Sequence, residues 1–154
     1  YDLIPKTFIR NIKGNLHSIG RLDFNSQGLI LLTNNTKIKA YLEKPSSKII
    51  RTYKVKVQGL LTDSIIKKTK KGMYINNIFY SVKKIEIIKK TKSYSWLLVK
   101  LDEGKNNHIR KVFKKLGFSV NKLVRIQYGP YRIGSLKTGE VKFLNINKVK
   151  FNYL

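Results

Sequence analysis

The chain has 154 residues, with 33 Lys and Arg against 8 Asp and Glu, two His and no Cys, a net charge of +25. That length fits one domain, or two subdomains sharing one core, 42% hydrophobic residues support a packed core over a disordered basic tail, and no apolar run approaches the roughly 18 residues of a membrane span. Disulfides, thiolate zinc sites and cysteine nucleophiles are excluded together, His17 and His108 alone make a poor metal site, and the surplus charge self-repels unless a polyanion shields it.

In chain order, Tyr1 to Asn15 read as irregular, and the opening YDLIPKTFIRNIKG lacks the apolar region of a secretory signal. Leu16 to Ile19 predict a short strand leading into the turn Gly20-Arg21-Leu22-Asp23. Gly28 then opens Leu29 to Leu32, an apolar run of the kind expected for a buried strand. Thr33-Asn34-Asn35 offers a helix cap, and Ile38, Tyr41 and Leu42 share a face until Pro45 stops the helix. Thr52 to Gln58 alternate, with Tyr53, Val55 and Val57 on one side. Thr62 caps a helix carrying Ile65, Ile66 and Thr69, closed by Gly72.

Further on, Met73 to Ile75 and Ile78 to Tyr80 flank Asn76-Asn77, the signature of a tight hairpin. Val82 to Ile88 and Ser95 to Leu101 predict two longer strands. Asn107 to Leu116 predict a helix with Ile109, Val112, Phe113 and Leu116 at helical spacing, ended by Gly117. Leu123 to Gln127, a turn at Gly129-Pro130 and a last strand over Val141 to Leu144 complete the pattern. Many strands and three helices without β-α-β alternation predict an α+β fold with a mixed, mainly antiparallel sheet, flanking helices and a central basic cleft.

Charge alone points to nucleic acid as the partner; a membrane surface fits less well, because the lysines are scattered and no long basic amphipathic helix appears. Asp23 stands out, one of four Asp, in a Gly-rich turn two positions after Arg21. An ionised carboxylate beside a cleft serves as nucleophile or base, while the plainer alternative is a turn aspartate bonded to nearby backbone N–H groups. A second cluster, Glu103-Gly104-Lys105-Asn106-Asn107-His108-Ile109-Arg110-Lys111, is a glycine-bearing loop entering a helix, where unpaired N–H groups suit a phosphate. Arg110 lies near the first turn, within reach of a carboxylate. For Lys111, Lys114 and Lys115 the alternative is a solvated helix face. Asp102 and Glu103 make a weak acid/base pair, since neighbours at a strand end face opposite ways. Tyr53, Tyr80, Tyr94, Trp96, Phe113, Tyr128 and Tyr131 lie among basic residues, where some suit stacking on unpaired bases and most suit the core.

Several segments together resemble a known family. SIGRLDFNSQGLILLTNN is similar to the signature GRLDxxTxGLLLLTND of the RsuA/RluB-type pseudouridine synthases. RTYKVKVQG, LDEGKNNHIRKVFKKLGFSVNKLVRIQYGP and IGSLKTGEVKFL follow in the family's order, so the resemblance runs from about Leu16 to Leu144. YLEKPSS, LVRIQYGP and LKTGEV look most like the branch acting on large-subunit ribosomal RNA. The resemblance implies that residues 1–154 form a catalytic domain that isomerises one uridine to pseudouridine. In it Asp23 is the nucleophile, Tyr53 stacks on the base and helps move a proton, and Arg110 pairs with the aspartate. It also implies RNA contacts from Arg21, Lys105, Asn107, His108, Lys111, Leu123 and Arg125. The chemistry implied needs no metal or cofactor, and the target base must leave its stack.

The sequence departs from the family pattern at Ser26, Gln27 and Asn35, and at Asn107 and His108 ahead of Arg110. The family's opening strand and the S4 RNA-binding domain that often precedes it are not visible, so a chain trimmed at its N-terminus is expected. A monomer in a bacterial cytoplasm or an organelle of bacterial descent is expected. The rival reading is an RNA-binding pseudoenzyme of ribosome assembly that kept the fold and lost turnover.

Overall fold

Strand alternation organises the fold. In the computed structural model, which describes residues 12–144, β4 (Arg51–Gln58) and β8 (Tyr94–Leu101) pair antiparallel over eight register positions, from Arg51 opposite Leu101 to Gln58 opposite Tyr94. Side chains alternate between the two faces, so Tyr53, Val55 and Val57 share a face with Leu97, Val99 and Leu101. β7 (Lys84–Lys90) adds beyond β8, and β9 (Val120–Tyr128) beyond β4. β10 (Tyr131–Arg132) turns back on β9. The order β10-β9-β4-β8-β7 is antiparallel throughout, and β2 (Gln27–Gly28) joins β9 in parallel, which makes the sheet mixed as the pattern predicts.

Two helices cover the face that carries Val55 and Val57. α2 (Asp63–Lys71) is capped by Thr62, whose Oγ1 accepts from Ile65 N, and α3 (His108–Lys115) follows the 104–107 loop. Ile65 and Ile66 of α2 and Ile109 and Phe113 of α3 pack on the sheet. Val55, Val57, Leu97 and Val99 are fully buried there, each worth roughly 1.5–3 kcal/mol relative to exposure. The hairpin β5 (Met73–Ile75) and β6 (Ile78–Tyr80) turns at Asn76-Asn77, both in the left-handed region that such a turn demands.

A smaller cluster lies at the other end. β1 (His17–Ile19) pairs with β3 (Leu31–Thr33), and α1 (Thr36–Glu43) packs on them through Ile38 and Leu42. Asn35 caps α1, its Oδ1 accepting from Lys37 N and Ile38 N, and Pro45 opens a short 3-10 turn after it. Tyr128 and Tyr131 close this second core.

Two expectations are corrected. Leu29 to Leu32 are not one buried strand: Leu29 and Leu31 are buried, but Ile30 is 53% exposed, because the chain leaves its parallel pairing with β9 at Gly28 before meeting β1. Val141 to Leu144 carry no strand. The chain beyond β10 folds instead into local turns, with Leu136 N donating to Ile133 O and Glu140 N to Lys137 O. Residues 1–11 of the irregular opening lie outside the described residues.

Candidate active site

The loop from Gly20 to Ser26 joins β1 to β2 and carries Arg21, Asp23 and Phe24. Its course is set by two close approaches. Gly20, at φ +65°, lies against the Tyr128 ring, and a Cβ there would fall 2.6 Å from a ring carbon. Gly28, at φ +112°, lets β2 run so close to β9 that a Cβ would fall 2.2 Å from the Arg125 carbonyl oxygen. No L side chain fits either position without moving backbone or a buried ring.

Arg125 holds the first part of this loop. Its Nε donates to Leu29 O at 2.8 Å, Nη2 to Gly20 O at 2.8 Å and Nη1 to Arg21 O at 3.4 Å. Arg110 holds the second part: Nη2 donates to Asn25 O at 2.6 Å and Nη1 to Val120 O at 2.7 Å. Between these anchors Ser26 N donates to Asp23 O at 2.8 Å, closing a turn with Phe24 at its tip. Phe24 is fully exposed. The Gly20 N–H donates to Glu43 at 2.9 Å, and Lys39 donates to both oxygens of that carboxylate and to Ser18 O. Burial works to raise the Glu43 pKa, but the bonds from Lys39 and Gly20, with the charges of Lys39 and Arg51, outweigh it and lower the pKa.

Tyr53 stands opposite Arg125 in the β4–β9 register. Burial pushes its phenol above the ordinary tyrosine range, against the charge and hydrogen bond of Arg125 and the charge of Arg51, so it is neutral at physiological pH. Burial likewise lowers the Arg125 pKa, opposed by Tyr53. Arg51 and Arg125 both stack on the Tyr128 ring, at 4.9 and 5.1 Å from its centroid, and the Tyr128 hydroxyl accepts from Arg51 and donates to Leu42 O. Asp23 thus lies in a loop that Arg110 grips at one end, and Tyr53 sits beside the arginine that holds the other.

Some expected contacts are corrected. Among the described residues no ion pair joins Arg110 to Asp23; the guanidinium reaches the backbone two residues further on. Arg125, Leu123 and His108, expected on the RNA side, are buried at 1%, 4% and 3% exposure. Leu123 and Arg125 alternate on the covered face of β9, where Leu123 joins the main core. His108 sits edge-on to Tyr80, with Nε2 donating to Ser81 O at 2.9 Å. Lys111 donates to the Tyr80 hydroxyl, while Lys105 pairs with Glu103 and lies over the Tyr80 ring. Asn107 takes a left-handed conformation ahead of α3 and donates to Asn106. His108, Lys105 and Lys111 gather around Tyr80. Arg21 is exposed. Sequence reasoning passed over Phe24 and Arg51; an apolar residue in a charged turn was the available signal for the first.

The family model described as RNA pseudouridylate synthase matches residues 10–115. The chain is 43% identical over 152 residues to an uncharacterised RNA pseudouridine synthase of Rickettsia conorii, covering 97% of this chain and 65% of that protein. It is 31% identical over 145 residues to the ribosomal large subunit pseudouridine synthase B of Bacillus subtilis, covering 93% of this chain and 59% of that one. The chain therefore spans about two-thirds or less of these relatives. Among solved structures, a pseudouridylate synthase superposes with a TM-score of 0.77 at 23% identity, over 96% of this chain and 62% of that one.

Proposed function

This chain belongs to the RNA pseudouridylate synthase family, and from that premise we propose that it converts a uridine of large-subunit ribosomal RNA to pseudouridine, with Asp23 as nucleophile. The observation that carries the reading is the doubly anchored loop: Arg125 and Arg110 fix the backbone on either side of Asp23, so the carboxylate is preorganised before RNA arrives. The name of the Bacillus subtilis relative supports the large-subunit substrate, and the net charge of +25 supports a polyanionic one.

In this reading the target uridine leaves its stack and enters beside Tyr53. The Asp23 carboxylate attacks the nucleotide and the N-glycosidic bond breaks. The detached uracil turns, C5 bonds to the ribose carbon as the bond from Asp23 to that carbon breaks and frees the carboxylate, the C5 proton departs and N1 gains a proton, so product and substrate are isomers. Tyr53, held as a neutral phenol, serves as a stacking surface and hydrogen-bond donor, not as a phenolate base. Phe24, at the exposed tip of the turn, stacks on a base flanking the target.

The test is incubation with deproteinised large-subunit ribosomal RNA fragments, followed by carbodiimide mapping of pseudouridine, wild type beside Asp23→Asn. A new pseudouridine formed by wild type and absent with Asp23→Asn is the expected result. Conversion by Asp23→Asn would remove Asp23 as nucleophile, and RNA binding without conversion by wild type would favour the pseudoenzyme.

A further inference from the structure

The face of the sheet opposite Tyr53, Val55 and Val57 carries three cross-strand rows. At one end Lys84 stands opposite Lys100, Lys100 opposite Thr52, Thr52 opposite Gln127, and Gln127 opposite Arg132. At the other end Lys89 stands opposite Trp96, Trp96 opposite Lys56, and Lys56 opposite Lys122. Between them run Glu86, Leu98, Lys54 and Val124. The rows hold seven cations and one carboxylate, Glu86, which Lys84 already pairs. Among the described residues no helix lies over this face, since α2 and α3 pack on the other side and α1 on β1 and β3.

Such an arrangement is costly for a fold left to itself. Like charges directly opposite in a sheet are destabilising, and Lys84–Lys100 and Lys56–Lys122 are both such pairs. Two stacking contacts, Lys54 over Trp96 at 5.0 Å and Lys56 over Tyr94 at 4.2 Å, offset part of that repulsion. The Thr52 hydroxyl is buried without a hydrogen-bond partner, and Thr52 lines a groove with Lys83, Lys84, Lys100, Gln127 and Arg132. The Lys83, Lys84, Lys100 and Arg132 cations around this groove are a donor set for phosphate oxygens. Lys83 has one acidic neighbour, Asp102, at 3.9 Å.

From this geometry we infer that the face is a second RNA-binding surface, which takes the sugar-phosphate backbone of the substrate away from the target nucleotide. Charge decides the occupant. Residues 1–11, with Lys6 and Arg10 against Asp2, and residues 145–154, with Lys148 and Lys150 and no acid, are themselves basic, and a second copy brings another +25. Of these occupants, an RNA backbone alone matches the sign. The inference rests on the proposed RNA substrate but not on turnover.

The experiment measures binding of a labelled large-subunit ribosomal RNA fragment by the full chain across a salt series. Two double variants, Lys56→Gln/Lys122→Gln and Lys100→Gln/Arg132→Gln, are compared with Lys67→Gln/Lys68→Gln on the exposed side of α2, which removes the same charge. Each lost phosphate contact lowers the log–log salt slope by about 0.7–0.9, so each face variant is expected to lose about 1.5 from its slope, and the control almost nothing. Equal slopes for face and control variants would overturn the inference. So would protection of Lys56 and Lys122 from acetylation in the RNA-free protein, or a wild-type dimer that the face variants split, since own segments or a second copy would then occupy the face. Pseudouridine mapping in parallel separates the readings. Turnover with unchanged slopes defeats this inference alone, and reduced slopes without turnover defeat the catalytic reading alone.

Discussion

The Arg125 guanidinium donates to the Gly20 carbonyl at 2.8 Å across 105 residues of sequence, from a side chain 1% exposed. The same planar group reaches Leu29 O and Arg21 O, so one buried cation satisfies two carbonyls of the loop that bears Asp23 and a third just past β2. Lysine keeps the charge but loses the fork. Arg125→Met is expected to destabilise by about 3 kcal/mol or more, because buried acceptors lose their donor, and Arg125→Lys by less. Urea denaturation reads the stability. A turnover loss in Arg125→Lys larger than its stability loss explains at working temperature would mark Arg125 as a positioning residue.

The close passage of β2 over β9 yields a paired test. Gly28 and Gly134 both have positive φ, but a Cβ on Gly134 meets nothing within 4 Å, whereas on Gly28 it meets the Arg125 backbone at 2.2 Å. Gly134→Ala is expected to cost about 1 kcal/mol from its backbone conformation, and Gly28→Ala about 3 kcal/mol or more because strands must separate. Equal losses in thermal denaturation would show that β2 does not need this contact.

Much of this framework was legible in the sequence. Alternation over Thr52 to Gln58 put Tyr53, Val55 and Val57 on one face, Thr62 and Gly72 bounded α2, and Asn76-Asn77 marked the hairpin, because each signal is local. The fates of Arg125 and His108 were not legible. Their partners, Gly20 O and Ser81 O, come from distant segments, and a polar residue in a basic motif reads as solvent-facing until those carbonyls are placed. The run Leu29 to Leu32 misled for a related reason: hydrophobicity does not say where a chain changes partners.

Arg110 offers a test of how the Asp23 turn is held. Its two arms reach Asn25 O and Val120 O, and its buried Nε has no partner. Arg110→Ala frees the turn, and a displacement of about 1 Å at a reacting group costs roughly a hundredfold in rate. The expected result is that kcat falls by about that factor with KM changed only a few fold, and that Arg110→Lys lies between. A rise in KM with kcat intact would instead make Arg110 an RNA contact.

His108 gives the fold a pH dependence with a definite sign. Burial lowers its pKa, against the charges of Glu103 and Asp102 and the Ser81 bond that raise it. The unfolded chain therefore binds a proton near 6.5 that the folded chain refuses until lower pH. The stability contribution is fully present above that value and is lost as pH falls from it towards the folded pKa. Measurement between pH 7.5 and 5.5, roughly a unit above the ordinary carboxylate range, keeps Glu43 ionised throughout. His108→Gln retains a donor for Ser81 O and removes the titration. Urea midpoints of the wild type are expected to fall with pH over this window while those of His108→Gln stay nearly flat. Parallel profiles would mean that His108 titrates alike in both states and that its burial beneath Tyr80 does not hold in solution.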